Sequence, residues 1–189
     1  MAQTATNVTA AKPPVGGAVY VADTSVTLPT SADEALGEGF TSLGYLAEDG
    51  VTNSNSPNTD TIKAWGGDPV LTLYNAKDDT FKFKLIEVLN PDVPKVPYGD
   101  ANVTGDLAEG IVITANNKEM DTKAYVFDMI MRNGALKRIV VPAAQVSSVG
   151  DVVYTDSDAV AYEVTISAQA DTNGNTHYEY IKAAAGANG

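Results

Sequence analysis

The chain is organised around residues 44–99, which begin with GYLAEDGVTNSNSPNTDTIKAWGG, residues 44–67. The centre of residues 44–67, Thr52–Asp60, consists only of Thr, Asn, Ser, Pro and Asp, and so polar a run cannot build a core of its own. The strand-like residues Leu43–Leu46 precede it, and Trp65, the only tryptophan, closes it. A long polar excursion inside a compact domain is usually functional, or becomes ordered on a partner. We therefore predict that residues 47–65 form a functional loop.

The sequence leaves two interpretations of Trp65 open. As a core anchor beside the turn Gly66-Gly67, it would bury a large apolar area. As an interface anchor at the base of the polar loop, it would belong to the residue types that are enriched at protein–protein contacts. Composition does not choose between the two.

Charge and composition exclude several classes of function. The chain has 189 residues, with 24 acids against 12 bases and a formal net charge of −12. This balance argues against binding nucleic acid through its phosphates. There is no cysteine, and His177 is the single histidine, so we predict no catalytic site, no metal site and no cofactor. Residues 1–14 lack the apolar segment of a secretion signal and no run approaches a membrane span, so we expect a soluble protein without membrane contact.

Most of the chain has the alternation of β-strands. Phe81, Phe83 and Leu85 alternate with lysines, which is typical of a half-buried strand. A helix capped at Thr30 or Ser31 and ended by Gly37 is expected, and another short one within the proline-containing segment Leu89–Tyr98. About ten strands are predicted, with these segments among them: Val15–Ala22, Val70–Tyr74, Thr80–Val88, Ile111–Thr114, Thr122–Arg132, Ala135–Val141, Val152–Tyr154, Val160–Ala170 and Thr176–Ala183.

Three hairpins are expected. Asn133-Gly134 between two apolar runs is the strongest short hairpin signal, because both turn positions need positive φ. A two-residue turn would place Met131 opposite Leu136, and apolar residues on both faces of that hairpin predict a sheet covered on both sides. The other two turns are Asn75–Asp79 and the loop around Asp171–Asn175. Pro142–Asp151 is predicted to be a connector.

These elements predict a single β domain with terminal extensions. Residues 1–14 are small and polar and end in two prolines, which is typical of an extended N-terminal arm. Residues 15–183 form the β domain, which includes the loop 47–65, and residues 184–189 form a small-residue C-terminal tail. The predicted fold class is mainly β, a β-sandwich or barrel-like fold with one or two short flanking α-helices.

The order of segments resembles the major tail protein, the tail-tube subunit, of long non-contractile-tailed bacteriophages. No single motif carries this resemblance; it is spread over about residues 15–182 in the following segments: Gly39–Val51, Ile62–Gly67, Phe81–Leu89, Tyr98–Thr104, Val140–Val146 and Ala161–Ile166.

The resemblance implies a structural virion protein and no enzyme. Six copies would form a ring, stacked rings would form a hollow tail tube, and inner sheets of neighbouring subunits would join into one barrel around the lumen. Partners would be further copies of the chain, the tape-measure protein, and the tail terminator and distal tail proteins. Double-stranded DNA would pass through without sequence-specific binding. Assembly in the host bacterial cytoplasm would place the protein in the virion tail.

In such a subunit the loop matching residues 47–65 is the inter-ring stacking loop, and the terminal arms add inter-ring contacts. The residues expected to carry the stacking contacts are Glu48, Asp49, Asn53, Asn55, Asn58, Asp60, Lys63 and Trp65. Between Arg138 and Lys182 there are six acids and neither Lys nor Arg. This region is the candidate for a negatively charged lumen wall, with the following lining acids: Asp156, Asp158, Glu163 and Glu179. A solvated negative surface explains the same charge pattern without a lumen.

Two alternatives remain at the level of sequence. An immunoglobulin-like β-sandwich that decorates a virion or cell surface would share the composition but would not form tubes. The tube component of a contractile injection system would share the fold and differ in having a sheath outside.

Overall fold

A computed structural model of the protein describes residues 3–183, without the side chain of Thr6, and the chain is mainly β, as predicted. Strands account for 46% of the residues and helical segments for 7%. In the described part the strands are β1 Ala11–Lys12, β2 Val19–Asp23, β3 Thr41–Ser42, β4 Leu46–Lys63, β5 Pro69–Leu85, β6 Val103–Thr104, β7 Val112–Ile113, β8 Lys123–Met131, β9 Leu136–Val149, β10 Tyr162–Ala168 and β11 Tyr178–Lys182. The helix α1, Asp92–Tyr98, confirms the expectation of a short helix before Gly99.

One large antiparallel sheet forms the body, in the order β3-β2-β8-β9-β10-β5-β4. Strand β1 pairs with β8 beyond the end of β2, and β11 pairs with β9 beyond the end of β10. Strands β6 and β7 form a separate small hairpin. Because β4 is the last strand of the path, its outer edge offers unpaired backbone groups to another chain.

The core lies on one face of the sheet, under α1. Phe81 and Phe127 stack with ring centroids 5.2 Å apart, and Phe83 meets Phe127 edge-to-face at 5.5 Å. Val93 and Val96 of α1 close this layer, which explains why a helix with two prolines persists: its buried side chains hold it in place.

The opposite face of β8 and β9 is also covered, as the apolar residues on both faces predicted. Val126 is fully buried there. Arg138 on the same face is only 5% exposed. Its Nη1 donates to the carbonyl oxygens of Ser31 and Glu34, at 3.1 and 2.6 Å. The segment around residues 29–34 therefore lies against this face and is anchored through the guanidinium.

The predicted helix between Thr30 and Gly37 is wrong, because this anchored segment is a series of turns. The Glu34 carboxylate accepts the Thr30 backbone N–H at 2.8 Å, so the local capping contact forms without a helix behind it. Two further strand predictions are wrong. Val152–Tyr154 is irregular, and Leu43–Leu46 is replaced by β3, which ends at Ser42, and β4, which begins at Leu46.

The Asn133-Gly134 turn joins β8 to β9 as predicted, but with a register shifted by one residue. Ile130 lies opposite Leu136, and the Met131 N–H donates to the Ala135 carbonyl. Gly134 alone has positive φ, at 85°. This geometry is that of a three-residue loop ending in a left-handed glycine, and the predicted pairing of Met131 with Leu136 is wrong.

The C-terminal third differs from prediction in two ways. The segment predicted as the connector Pro142–Asp151 continues β9 as far as Val149, with a bulge near Pro142 where the register to β8 shifts. Strands β10 and β11 do not pair with each other as a hairpin. Both run antiparallel to β9 along one edge, so the loop Asp171–Asn175 links two strands that run in the same direction.

Part of the predicted N-terminal arm lies on the body. Residues Ala11 and Lys12 pair with Met131 and Ile130, and the Arg132 N–H is within hydrogen-bonding distance of the Thr9 hydroxyl and the Ala10 carbonyl. The predicted C-terminal tail, 184–189, lies outside the described residues. Within residues 3–183, no helix has the length and apolar character needed to span a bilayer.

Candidate assembly interface

The predicted loop 47–65 is a strand of a long β-hairpin. Strand β4 pairs with β5 from Leu46 to Lys63, and the chain reverses at Ala64–Asp68, where the Ala64 N–H donates to the Asp68 carbonyl. Gly66 and Gly67 have φ values of 121° and 99°, which only glycine adopts easily. The predicted turn at Asn75–Asp79 is therefore wrong, because β5 continues through it.

The distal part of this hairpin projects from the body, and we call residues 55–79 the arm. Strand β10 pairs with β5 only as far as Thr80, so beyond it the two strands of the arm have no other sheet neighbour within residues 3–183. From Asn55 to Lys63 the arm extends about 25–30 Å, at roughly 3.3 Å per residue. Trp65 at its tip is fully exposed, which excludes the core-anchor interpretation.

The arm exposes several large apolar side chains to solvent. Ile62 lies directly opposite Leu71, and Leu73 is two residues further on the same face. Val70 and Tyr74 are exposed on the other face. Neighbouring exposed side chains of this size usually mark a binding surface, and a two-stranded ribbon without a covered face is marginal in water. The arm thus has the features of a surface that another chain covers.

A buried polar cluster fixes the arm to the body at its root. The Asp79 side chain is 1% exposed and accepts hydrogen bonds from Asn53 Nδ2 at 2.8 Å and Thr176 Oγ1 at 2.5 Å. His177 Nδ1 lies 2.5 Å from Asp79 Oδ2, and its ring packs edge-on against Phe81 at 5.3 Å. The cluster joins β4, β5 and the segment before β11, so it fixes the direction in which the arm projects from the body.

Two opposing effects determine the pKa of Asp79. Burial alone would raise the pKa of this carboxyl, because the charged form loses its hydration. The hydrogen bonds from Thr176, His177 and Asn53 outweigh burial and hold the pKa below its ordinary value. Asp79 is therefore a charged acceptor, and charge-assisted hydrogen bonds of this kind are stronger than neutral ones.

The predicted stacking residues are spread over the whole hairpin. Lys63 and Trp65 lie at the tip, and Asp60 in the arm accepts a hydrogen bond from Asn75 at 2.7 Å. Asn58 is exposed beside a bulge of the arm. The remaining four lie at the root or in the body part of β4: Glu48, Asp49, Asn53 and Asn55.

Asn55 has an unsatisfied acceptor at the arm root. Its Oδ1 is buried and has no hydrogen-bond partner within residues 3–183. It lies beside Tyr74, Lys77 and Asn175 in a groove between the arm and the loop before β11. Buried polar atoms are rarely left without a partner, so this groove is suited to a donor from outside the subunit.

The four acids predicted to line a lumen are not brought together. Glu163 forms an ion pair with Lys82 at 2.8 Å, and Glu179 one with Lys137 at 2.9 Å. Glu163 follows the buried Tyr162 and points away from the core. Glu179 lies opposite the core residue Ile139. The two side chains therefore project from opposite faces of the sheet. The other two are exposed in the irregular segment between β9 and β10 and have no salt bridge in the described structure: Asp156 and Asp158.

Sequence reasoning missed the arm and its root. Two signals could have shown the arm: the segment 75–79 contains neither Gly nor Pro, and Gly66-Gly67 stands midway between segments of similar length. No sequence signal distinguishes Asp79 from the other acids, because its partners lie 26 to 98 residues away. In the described ranges, no group of three or more His, Asp or Glu side chains could hold a metal ion.

Comparison with known proteins identifies the family. A family model described as phage tail tube protein matches residues 4–188, nearly the whole chain. No curated protein matches the sequence. The projecting arm and the open sheet edge are features that a self-assembling subunit would use. The chain belongs to the phage tail tube protein family and is a structural component of the virion tail.

Proposed function

We propose that this protein polymerises as stacked hexameric rings into the tube of a long non-contractile tail, and that the arm is the inter-ring stacking element. The observation that carries the proposal is the arm itself, which exposes apolar residues on both faces and a fully exposed Trp65 at its tip. A second copy of the chain would cover these side chains, and burying apolar surface is the main source of free energy for such an association.

Two features of the isolated subunit support assembly with copies of itself. The outer edge of β4 can add to a strand of a neighbour, and closing a sheet into a barrel removes exposed edges. The buried Oδ1 of Asn55 lacks a donor within the described residues, and a neighbouring subunit could supply one. The N-terminal residues along β8 are a third contact surface that we assign to inter-ring packing, together with the C-terminal tail.

The lumen of this tube would hold the tape-measure protein and then conduct double-stranded DNA, while the terminator and distal tail proteins would close its ends. At −12 per chain, a ring of six copies carries about −72, and a wall of like sign repels phosphates. A basic wall would instead hold DNA through counterion release. Asp156 and Asp158 are the strongest lumen candidates, because no lysine neutralises them in the described structure.

Electron microscopy of concentrated protein tests the proposal. Wild-type protein should form tubes, and a variant in which Asn-Gly replaces Pro57–Lys77 should stay a folded monomer. Circular dichroism checks its fold. Normal tubes from this variant would remove the stacking role of the arm. Failure of the wild type to form tubes at any concentration would overturn the tube proposal itself.

A milder variant separates the apolar surface from the length of the arm. Leu71→Thr with Leu73→Thr keeps β-forming residues in β5 but removes much of the apolar face, so tubes should form only at higher concentration. The matched control makes similar changes on the small β6–β7 hairpin, Leu107→Thr with Val112→Thr, where both side chains are also exposed. The control should assemble as the wild type does.

A further inference from the structure

We propose that Trp65 at the tip of one subunit's arm inserts into the cavity beside the start of β8 in a second copy of the chain. This inference rests on the proposed function, since it names the receptor for the arm. The cavity encloses about 340 Å³, which is more than an indole ring occupies.

The walls of this cavity are suited to an aromatic side chain with one polar atom. Val21, Val96 and Val146 contribute the apolar part of the lining, and Tyr125, which also lines the cavity, is only 2% exposed. Its carboxylates come from four residues that line the same cavity: Asp23, Asp92, Asp100 and Asp121. An indole has a large apolar body and a single N–H donor, so the ring can contact the smaller apolar part of this mainly polar lining while a carboxylate accepts its N–H.

The cavity is lined by four acids and two lysines, whereas the turn at the arm tip carries one exposed base beside Trp65, Lys63, and one exposed acid, Asp68. Lys123 bridges Asp23 and Asp100, at 2.6 Å to each, whereas the Asp121 carboxylate has no ion pair in the described structure. At the arm tip, Lys63 stands two residues before Trp65, is exposed, and likewise has no ion pair within residues 3–183. Docking would bring an unpaired ammonium towards an unpaired carboxylate, which favours one orientation over others.

The arm and the cavity face opposite ways along the strands. Strand β5 runs antiparallel to β10, and β10 runs antiparallel to β9, as β8 does. The tip of the arm therefore points in the direction in which β8 runs, towards Met131. The cavity lies at the other end of β8, at Lys123 and Tyr125. A tip and a receptor at opposite ends cannot meet within one subunit, but they do meet in a head-to-tail stack, which propagates without closing.

The single tryptophan gives a direct test in assembled tubes. Trp65 fluorescence in the monomer should resemble that of an indole in water. On assembly the emission should shift to shorter wavelength, and quenching by acrylamide should fall several-fold. Trp65→Ala should raise the critical concentration for tubes by about thirtyfold or more, which corresponds to about 2 kcal/mol.

Filling the receptor should have the same effect as removing the tryptophan. Thr41 is exposed and lines the cavity, so Thr41→Phe should raise the critical concentration about tenfold or more. Thr155→Phe, at an exposed site that does not line the cavity, is the matched control and should assemble normally. The chain contains no cysteine, so mixed tubes of Ala64→Cys and Thr41→Cys subunits should cross-link between copies, and mixtures of Ala64→Cys with Thr155→Cys should not.

The outcomes separate this inference from the proposed function. Tubes in which Trp65 remains quenchable, or in which Ala64→Cys cross-links no better to Thr41→Cys than to Thr155→Cys, would overturn the receptor assignment and leave the tube intact. A wild type that forms no tubes would overturn both.

Discussion

Asp79 and Arg138 are the two charged residues buried in the described part of the chain, and each is held by several hydrogen bonds. A buried charge is costly unless it is paired and hydrogen-bonded. Asp79 fixes the root of the arm, and Arg138 fixes the segment around residues 29–34 to the sheet. Both residues connect parts of the chain that lie far apart in sequence, so both should be sensitive to substitution.

Replacing Asp79 by Ala should destabilise the subunit by about 1–3 kcal/mol, because the donors of Asn53 and Thr176 would lose their buried acceptor. Denaturant unfolding measures this difference. The matched control is Asp78→Ala, whose side chain is exposed and whose loss should change stability by less than about 0.5 kcal/mol. Equal effects of the two substitutions would contradict the role of Asp79.

The pH dependence of stability provides a second check on Asp79. Its folded-state pKa lies below the ordinary value of 3.8, so its contribution to stability is fully present above about pH 4 and is lost as the pH falls through the folded value. The stability difference between wild type and Asp79→Asn should therefore be constant near neutral pH and shrink in more acidic solution. A difference that grew on acidification would have the wrong sign.

Asp128 should be more costly to remove than any surface acid. Arg138 Nε and Nη2 donate to its two oxygens at 2.6 and 2.8 Å, and Asp128→Ala would leave the guanidinium buried without its counter-charge. The expected loss is about 3–5 kcal/mol, measured by thermal or denaturant unfolding. The exposed pair of Lys82 and Glu163 is the comparison, and Glu163→Ala should cost at most about 1 kcal/mol.

Among the strands, the sequence predicted Val70–Tyr74 and Thr80–Val88 as two separate segments, whereas the structure joins them in one continuous strand paired with β4. Phe81, Phe83 and Leu85 alternate because they cover the core, so their strand was predictable. In the described structure neither face of the arm strands is covered, so these strands lack that periodicity. Pairing of β4 with β5, rather than local propensity, makes Thr52–Asp60 extended. The register at Asn133-Gly134 was missed by one residue because two- and three-residue turns share the same sequence signal.

Two other elements depend on contacts that no local pattern encodes. Residues 31–34 include side chains that could cap a helix. In the structure, however, the Arg138 guanidinium donates hydrogen bonds to the carbonyl oxygens of Ser31 and Glu34. Strand β11 looked like the partner of β10 because a turn precedes it, yet it pairs with β9. In both cases a tertiary contact decides between alternatives that the sequence allows.

Hydrogen exchange should divide β5 into two parts. In the monomer, amides of Val70–Tyr74 should exchange much faster than those of Phe81–Leu85, because the arm can open without exposing core residues. In assembled tubes the arm amides should become protected if a neighbour covers them. Mass spectrometry of peptides from both states measures this change. Equal protection of the arm before and after assembly would contradict the proposal that the arm is the stacking element.

The arm and the buried core differ in solvent exposure. The core holds the sheet as one body, whereas the arm leaves that body and exposes side chains that a stable monomer would cover. The family assignment is consistent with this combination, since a subunit that assembles into a tube needs a rigid body and a surface that a neighbouring copy can cover.

The acidic segment between β9 and β10 should face the inside of the tube. We expect Asp156 and Asp158 to face the lumen, because unpaired carboxylates there would keep DNA from adhering to the wall. Since the chain has no cysteine, Asp156→Cys can be labelled alone in assembled tubes. A small maleimide should reach it through the open ends, whereas a maleimide on a large polymer should not. Thr27→Cys, at an exposed position after β2, gives the comparison for reagent access. If the bulky reagent labels Asp156→Cys as fast as the small one, this segment lies on the outside of the tube.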